Sequence, residues 1–449
     1  MSNRGKLQKT INKFLASVGD APAQKSAEWY SMKAKTIGGS EVATVLGLNP
    51  FKGVKSLIAE KIGIAEHKFS GNIATRWGTI FEQVTRDWTQ LVLNMDECIQ
   101  ETGSLPGVIN GQRYSPDGLG VVGLLNENDE LEYYIVLFEF KSPFRSLPDG
   151  KIPKYYRPQI QTGMLTIPMV ELSIFVNNCY RKCQLKDIGF SMTYDVIFHD
   201  GDAKKKKTKK QMFRQVLACG VIGIYQTKEN YDLALSLCGY NSDSDDNDDD
   251  IGDKIQIADE APAYASAYSN TAYDMEILMN TRESIVDFGT AKSRMMDRLL
   301  ELYEEKRIQL IYYPMVVNQE AVNELEFIQL HGKEKPVAEI YPKKIIKAQL
   351  TQFLDHCDTH EHYPIGYLPW KLLKSDILSD TPDEDWRETI EQPIADTLKL
   401  IDEISNSDNP VERYYELYPC HQSVDVDDDV NECAELMKKE TIADESDMM

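Results

Sequence analysis

The chain has 449 residues, 42% hydrophobic and 27% charged, with a formal net charge of −23; this is enough apolar material for one large domain or two to three ordinary ones. No apolar run reaches the roughly 20 residues of a membrane helix, the N-terminal "MSNRGKLQKT" lacks an apolar h-region, and the eight scattered cysteines suit a reducing, intracellular compartment. Charge is uneven: residues 1–214 carry +7 and the rest −30, so the first part suits a polyanion and the acidic total does not exclude nucleic acid.

Short helices are expected over the first forty residues. In "GGSEVATVLGL" Ser40 is placed to cap a helix that stops near Gly47 and Pro50. Helical spacing of Ile73, Trp77, Ile80, Phe81, Val84, Trp88 and Leu91 predicts a helix from Asn72 to about Leu93, with Glu82 beside the apolar stripe. Strands are expected up to Asp117, in "GLGVVGLL" and, after the polar turn "NENDE", in "IVLFEFKSPF". "YYRPQIQTGMLTI" reads as a helix with Pro158 in its first turn, and "ELSIFVNN" and "MTYDVIFHD" as strands. Beyond Asp200 lie a basic block (Lys204 to Lys210) and an acidic low-complexity loop (Ser242 to Asp250), in a stretch read as mostly helical up to about Glu361. "IGYLPWKLLKSDIL" is a strand, "DWRETIEQPIADTLKLIDEI" a helix interrupted near Pro393, and the acidic tail from about Ser423 is expected to be disordered.

The informative stretch is "FEFK". In a strand Glu139 and Lys141 share one face and Phe138 and Phe140 the other. One reading is an edge strand showing an ion pair to water. The other is a catalytic face, because Asp117 in the Pro-Asp-Gly turn of "YSPDGLG" lies 22 residues earlier and completes the order PD…ExK. Asp117 and Glu139 would supply hard oxygen ligands for Mg²⁺ or Mn²⁺ and Lys141 would handle the attacking water, with Glu82 available for a second ion. On the helix after the strand, Tyr156, Gln159 and Gln161 are placed to donate to phosphate oxygens, the first two on one face.

Five blocks in order, "EWYSMKAKTIGGSEV", "WGTIFE", "SPDGL", "EFKSPF" and "YYRPQIQ", resemble the phage-lambda-type 5′→3′ exonucleases and YqaJ-like viral recombinases of the PD-(D/E)xK nuclease superfamily. The resemblance spans about residues 28 to 200. It implies an α/β fold with a restriction-endonuclease-like core, a mixed central sheet flanked by helices. It also implies metal ligation by Asp117, Glu139, the Phe140 carbonyl and Glu82, with Lys141 as the water-handling lysine. Ser40, Ser115 and Gln159 match positions that hold the 5′-phosphate, and Trp29 and Tyr156 match supporting ones. Lys33 stands where the phage member has an arginine, keeping the charge without the two-pronged geometry. On this resemblance the nuclease core comprises residues 1–201 and 364–422. A large, mainly helical insertion (202–363) separates the two parts and an acidic tail (423–449) follows. The implied activity is Mg²⁺-dependent exonucleolytic resection of duplex DNA from 5′ ends, for recombination or viral genome processing. The implied partners are double-stranded DNA ends, a single-strand annealing protein and further copies of the chain, with no membrane. A structure-specific endonuclease on the same fold, or a DNA-binding or assembly protein that has lost catalysis, are the competing readings.

"DHCDTHEHYP" gathers His356, Cys357, His360 and His362, but no paired CxxC accompanies it, so it is not read as a zinc site. Cys179 and Cys183 are expected to be a buried and a surface thiol.

Overall fold

A computed structural model describes residues 2–18, 27–64, 72–144, 146–188, 192–198, 208–214, 216–231, 285–318, 321–322 and 342–419. The chain opens with helices α1 (Asn3–Val18) and α2 (Ala27–Ala34), strand β1 (Ile37–Gly38), a 3₁₀ turn (Gly39–Glu41), and helices α3 (Val42–Val45), α4 (Val54–Lys61) and α5 (Ile73–Val92). Strands β2 (Leu105–Pro106), β3 (Gln112–Tyr114), β4 (Gly118–Leu125) and β5 (Leu131–Lys141) follow, then α6 (Arg157–Thr166) and β6 (Leu172–Lys182). Next come β7 (Met192–Phe198), β8 (Thr208–Arg214), β9 (Ala218–Gln226), β10 (Val286–Asp287), α7 (Ser293–Glu304), β11 (Gln309–Tyr312) and β12 (Val316–Val317). The last elements are α8 (Pro342–Thr359), β13 (Tyr363–Asp380), α9 (Trp386–Ser405) and α10 (Pro410–Leu417).

One mixed sheet of eight strands organises the molecule. Its main path runs β11-β9-β13-β6-β5-β4, with β10 and β12 attached to β13 and β9. β4 and β5 form an antiparallel hairpin, at whose tip the Asn126 carboxamide oxygen accepts the Asn128 and Glu130 N–H groups at 2.9 and 3.0 Å. β5 then pairs parallel to β6 across helix α6, so β5 is an interior strand and apolar on both faces. Val136, Phe138 and Phe140 meet the stripe of α5, while Ile135 and Leu137 meet α1 and α6. Asn72 caps α5 by accepting the Ala74 and Thr75 N–H groups, and Trp77, Ile80, Phe81, Val84 and Trp88 are buried as the spacing predicts. The mixed α/β core with helices on both faces is therefore the fold that the sequence anticipates.

The part beyond Asp200 differs from expectation. Where they are described, residues 202–363 combine helices such as α7 and α8 with strands β9, β10, β11 and β12, which join the main sheet. "ACGVIGIYQ" in β9 is buried almost throughout between β11 and β13. A continuous apolar run suits a fully buried strand as well as a helix, and strand pairing decides it here. Arg76, only 4% exposed, reaches from α5 to Asp297, Glu301 and Glu304 on α7, tying this region to the core. α9 runs unbroken through Pro393. Ser40 lies inside the 3₁₀ turn and caps no helix; the Glu41 carboxylate instead accepts the Gly38 N–H at 2.8 Å. The acidic loop and tail, and Lys204–Lys207 of the basic block, lie outside the described residues.

Two features fix the segment before β3. Lys61, nearly buried, lies 2.8 Å from Glu41 and donates to the Lys33 and Thr36 carbonyls at 2.7 Å each, so all three ammonium protons have acceptors. Tyr114 is gripped between glycines: a Cβ on Gly39 would meet its ring at 2.4 Å, and one on Gly163 its hydroxyl at 2.5 Å. Lys61→Met leaves the Glu41 carboxylate buried and unpaired, and should lower stability by ~3–5 kcal/mol in urea unfolding. Gly163→Ala forces α6 away from Tyr114 and should cost ~1–3 kcal/mol by the same measurement.

Candidate active site

The β4–β5 ladder ends at Gly118 opposite Phe138. Leu119 exchanges both backbone hydrogen bonds with Gln100 on the outer side, so Gly118 and Gly120 turn theirs toward β5. Continuing that register places Pro116 opposite Phe140, and proline has no N–H to give. The Phe140 N–H is taken instead by the Asp117 carboxylate at 2.8 Å. The Phe140 carbonyl, facing the same way, meets no ladder donor from Pro116. This local end of pairing brings a carboxylate, a carbonyl and the Glu139 side chain together at one place.

Glu139 is 0% exposed, which rules out an edge-strand ion pair displayed to water. One carboxylate oxygen is bonded to the Lys141 ammonium; the other is buried without a partner. Burial, reinforced by the Asp117 charge and opposed by Lys141, pushes the Glu139 carboxyl up to about 8. Burial works against the charged form of Lys141, but the negative charges of Glu139 and Asp117 outweigh it and hold the ammonium firmly protonated. The Tyr114 hydroxyl, buried and without a partner, is raised by burial and by the same two carboxylates. Lys141 also lies 5.0 Å from the centre of the Tyr156 ring.

Asp117, Glu139 and the Phe140 carbonyl fit a divalent cation. The orphaned Glu139 oxygen is a hard donor already stripped of water, and a dication would supply the charge that the buried pair lacks. Glu82 is not part of this group. It is half exposed, lies 3.6 Å from Arg86, and affects Glu139 only weakly through its charge. Among the described residues no set of three or more His, Cys, Asp or Glu side chains stands ready to hold a metal.

The other sequence candidates fall into two groups. The 3₁₀ turn, the end of β3 and α6 pack together, so the elements carrying Ser40 (exposed), Ser115 and Gln159 (both half-buried) adjoin. Lys33 lies in the last turn of α2, whose following carbonyl ladder Lys61 holds. Tyr156 is half-buried against Phe175. Gln161 does not belong with them: it is buried, donates to Asp380 and the Thr381 carbonyl at 2.9 Å, and accepts the Asp383 N–H at 2.9 Å. Its polar atoms lock the turn between β13 and α9. The backbone of Trp29 lies in α2; its side chain is outside the description.

Several residues near the site were not anticipated. Arg86 links Glu82 and Glu101 to the Asp117 carbonyl, 3.3 Å away. Asn177 and Asp376 continue the Lys141 row across β6 and β13, a juxtaposition that appears only once strand register is known. Away from the site, His356, His360 and His362 do converge, with ring centres 4.3 to 6.0 Å apart, but without a metal-holding arrangement. Cys179 is buried and Cys183 half-buried.

The description "YqaJ-like viral recombinase domain" belongs to a family model that matches residues 28–167, which contain Asp117, Glu139 and Lys141. A curated protein of African swine fever virus is 29% identical over 248 residues in one isolate, spanning 51% of this chain and 68% of that protein. Its counterpart in a second isolate is 28% identical over 234 residues, spanning 48% and 64%. The chain thus spans about two thirds of the length of these curated relatives. Among solved structures, an alkaline exonuclease (LHK-Exo) from Laribacter hongkongensis shares 22% identity over 34% of this chain and 74% of its own, with a TM-score of 0.25. LHK-Exo in complex with dAMP shares 19% over 42% and 83%, with a TM-score of 0.26. The fold assignment rests on the strand pairing described above, not on these scores. Over residues 28–167 the chain is thus similar to the YqaJ-like viral recombinase domain.

Proposed function

We propose that this chain is a divalent-cation-dependent DNA exonuclease that degrades linear duplex DNA from 5′ ends, in recombination or viral genome processing. The single observation carrying the reading is the fully buried Glu139, with one oxygen on Lys141 and one unpartnered, beside Asp117 at the point where Pro116 ends the ladder. A carboxylate held so far from water invites a metal and has little structural value alone.

Asp117, Glu139 and the Phe140 carbonyl would hold Mg²⁺ or Mn²⁺. Such an ion supplies charge neutralisation at the phosphate and a more acidic bound water. Asp117 is aimed by the Phe140 N–H, so its ligating geometry is preset by the backbone. Lys141, permanently charged and 23% exposed, faces both the buried carboxylate and the outside, and orients the attacking water while offsetting negative charge on the phosphate. A second ion would draw on Glu82, which lies 3.6 Å from Arg86. Ser40, Ser115 and Gln159 lie on elements that adjoin and, with Lys33, would bind a terminal phosphate, favouring strand ends over internal bonds.

Linear duplex carrying a 5′-phosphate or 5′-hydroxyl, and closed circular DNA, separate the possibilities. Mg²⁺-dependent shortening of linear DNA alone is expected, faster with the phosphate, and Glu139→Ala or Lys141→Ala should lower the rate by at least about a hundredfold. Cutting of the circle would favour an endonuclease, and binding without cleavage a non-catalytic protein.

Glu139 also sets a pH dependence. Its carboxyl holds a proton up to about 8 in the folded, metal-free protein, against 4.5 ordinarily, so between those values the folded chain binds the extra proton. Stability should fall as pH rises through that window. Thermal midpoints without metal should decline over the same range, the upshift on adding Mg²⁺ should grow, and Glu139→Gln should flatten both trends.

A further inference from the structure

Phe51 and Leu48 are 40% and 47% exposed, yet the turn that presents them is tightly built. Gly47 adopts φ +68°, the Leu48 and Asn49 N–H groups both donate to the Ala43 carbonyl at 2.8 and 3.2 Å, and the Asn49 amide donates to Thr44 at 2.9 Å. The Asn49 carboxamide oxygen then accepts the Phe51 N–H at 2.9 Å. An apolar ring is thus held outward by design of the turn, not by slack in a loop.

That ring begins a chain of contacts ending at the candidate catalytic lysine. Phe51 meets Tyr155 edge-on, with centroids 5.5 Å apart and planes at 85°. Tyr155 meets Tyr156 at 4.4 Å, and Tyr156 lies 5.0 Å below Lys141. In the neighbouring segment "KIPKYYR", Lys151 to Arg157, Arg157 pairs with Asp380 at 3.2 Å, while Lys151 and Lys154 on either side of Ile152 and Pro153 are exposed.

We propose that Phe51 and Tyr155 form a stacking platform for unpaired nucleobases of the DNA strand whose backbone reaches the Glu139–Lys141 site. The proposal rests on the nuclease reading and adds the subsite that would grip the strand. Interleaved π faces and cations match single-stranded nucleic acid, whose bases offer a stacking face whatever the sequence while its phosphates meet the lysines. A protein partner would have no such need for cations alternating with rings beside a phosphodiester site.

The test measures binding by the full chain in EDTA, using fluorescent duplexes with a short unpaired 5′-phosphorylated end. That end is either natural or carries one abasic residue at each of its terminal positions in turn. In the wild type, an abasic residue at one or two positions should weaken binding about tenfold. Phe51→Ala and Tyr155→Ala should weaken binding of natural DNA by about the same factor and lose the abasic effect, while Phe51→Trp keeps both. Thermal midpoints confirm that the variants fold. If Phe51→Ala retains wild-type sensitivity to the abasic residue, or weakens natural and abasic DNA alike with the sensitivity unchanged, the platform is wrong. Mg²⁺-dependent cleavage by the wild type in that case leaves the nuclease reading standing. A wild type that neither binds nor cleaves any end removes both.

Discussion

Placing an ionisable carboxyl where no water reaches it is the constraint on which the rest of the structure turns. Glu139 sits in an interior strand with α5 on one side of the sheet and α1 and α6 on the other. Isolated there, it would be protonated or would destabilise the fold. It is tolerable because Lys141 reaches one oxygen and because the neighbouring ladder stops, leaving Asp117 and a carbonyl turned inward. Pro116 is the simplest cause of that stop. A residue with an N–H at the same position could extend the hairpin by one pair and close off the Phe140 carbonyl.

The supports of the site follow from this. Two glycines let Tyr114 wedge between the 3₁₀ turn and α6, keeping the face of β5 that bears Glu139 covered. Lys61 holds the segment from Lys33 to Glu41 by satisfying three acceptors with one buried ammonium. Gln161 binds α6, the helix carrying Gln159, to the end of β13 and the turn after it. Each contact joins residues distant in sequence, and each orients a polar group near the β5 terminus without touching a substrate.

Sequence alone made much of this legible, for identifiable reasons. Local signals sufficed for α5, whose apolar stripe and Asn72 cap are written in consecutive residues, and for the β4–β5 hairpin with its polar tip. Glu139 and Lys141 were readable because alternation in a strand puts them on one face, and Asp117 because it precedes them in the order PD…ExK. What stayed hidden depends on register and crossing. Asn177 and Asp376 join Lys141 only through strand pairing, and Arg86 meets Asp117 only where α5 passes the sheet edge. Gln161 illustrates the opposite failure: a polar side chain on a plausible face turned out to be consumed by the fold. β9 was misread because a short apolar run has no period of its own.

The sheet order has a consequence for how the protein comes into being. β13, an 18-residue strand, lies between β6 and β9, near the middle of a sheet whose acidic strand β5 was made more than two hundred residues earlier. During synthesis the hairpin and α5 emerge first, with one side of β6 still open. Pairings this remote in sequence form slowly, and the early half stays loosely closed until the last third of the chain arrives. The outer side of β6, and the Asp380 and Asp383 anchors of Gln161 on α6, are therefore completed late.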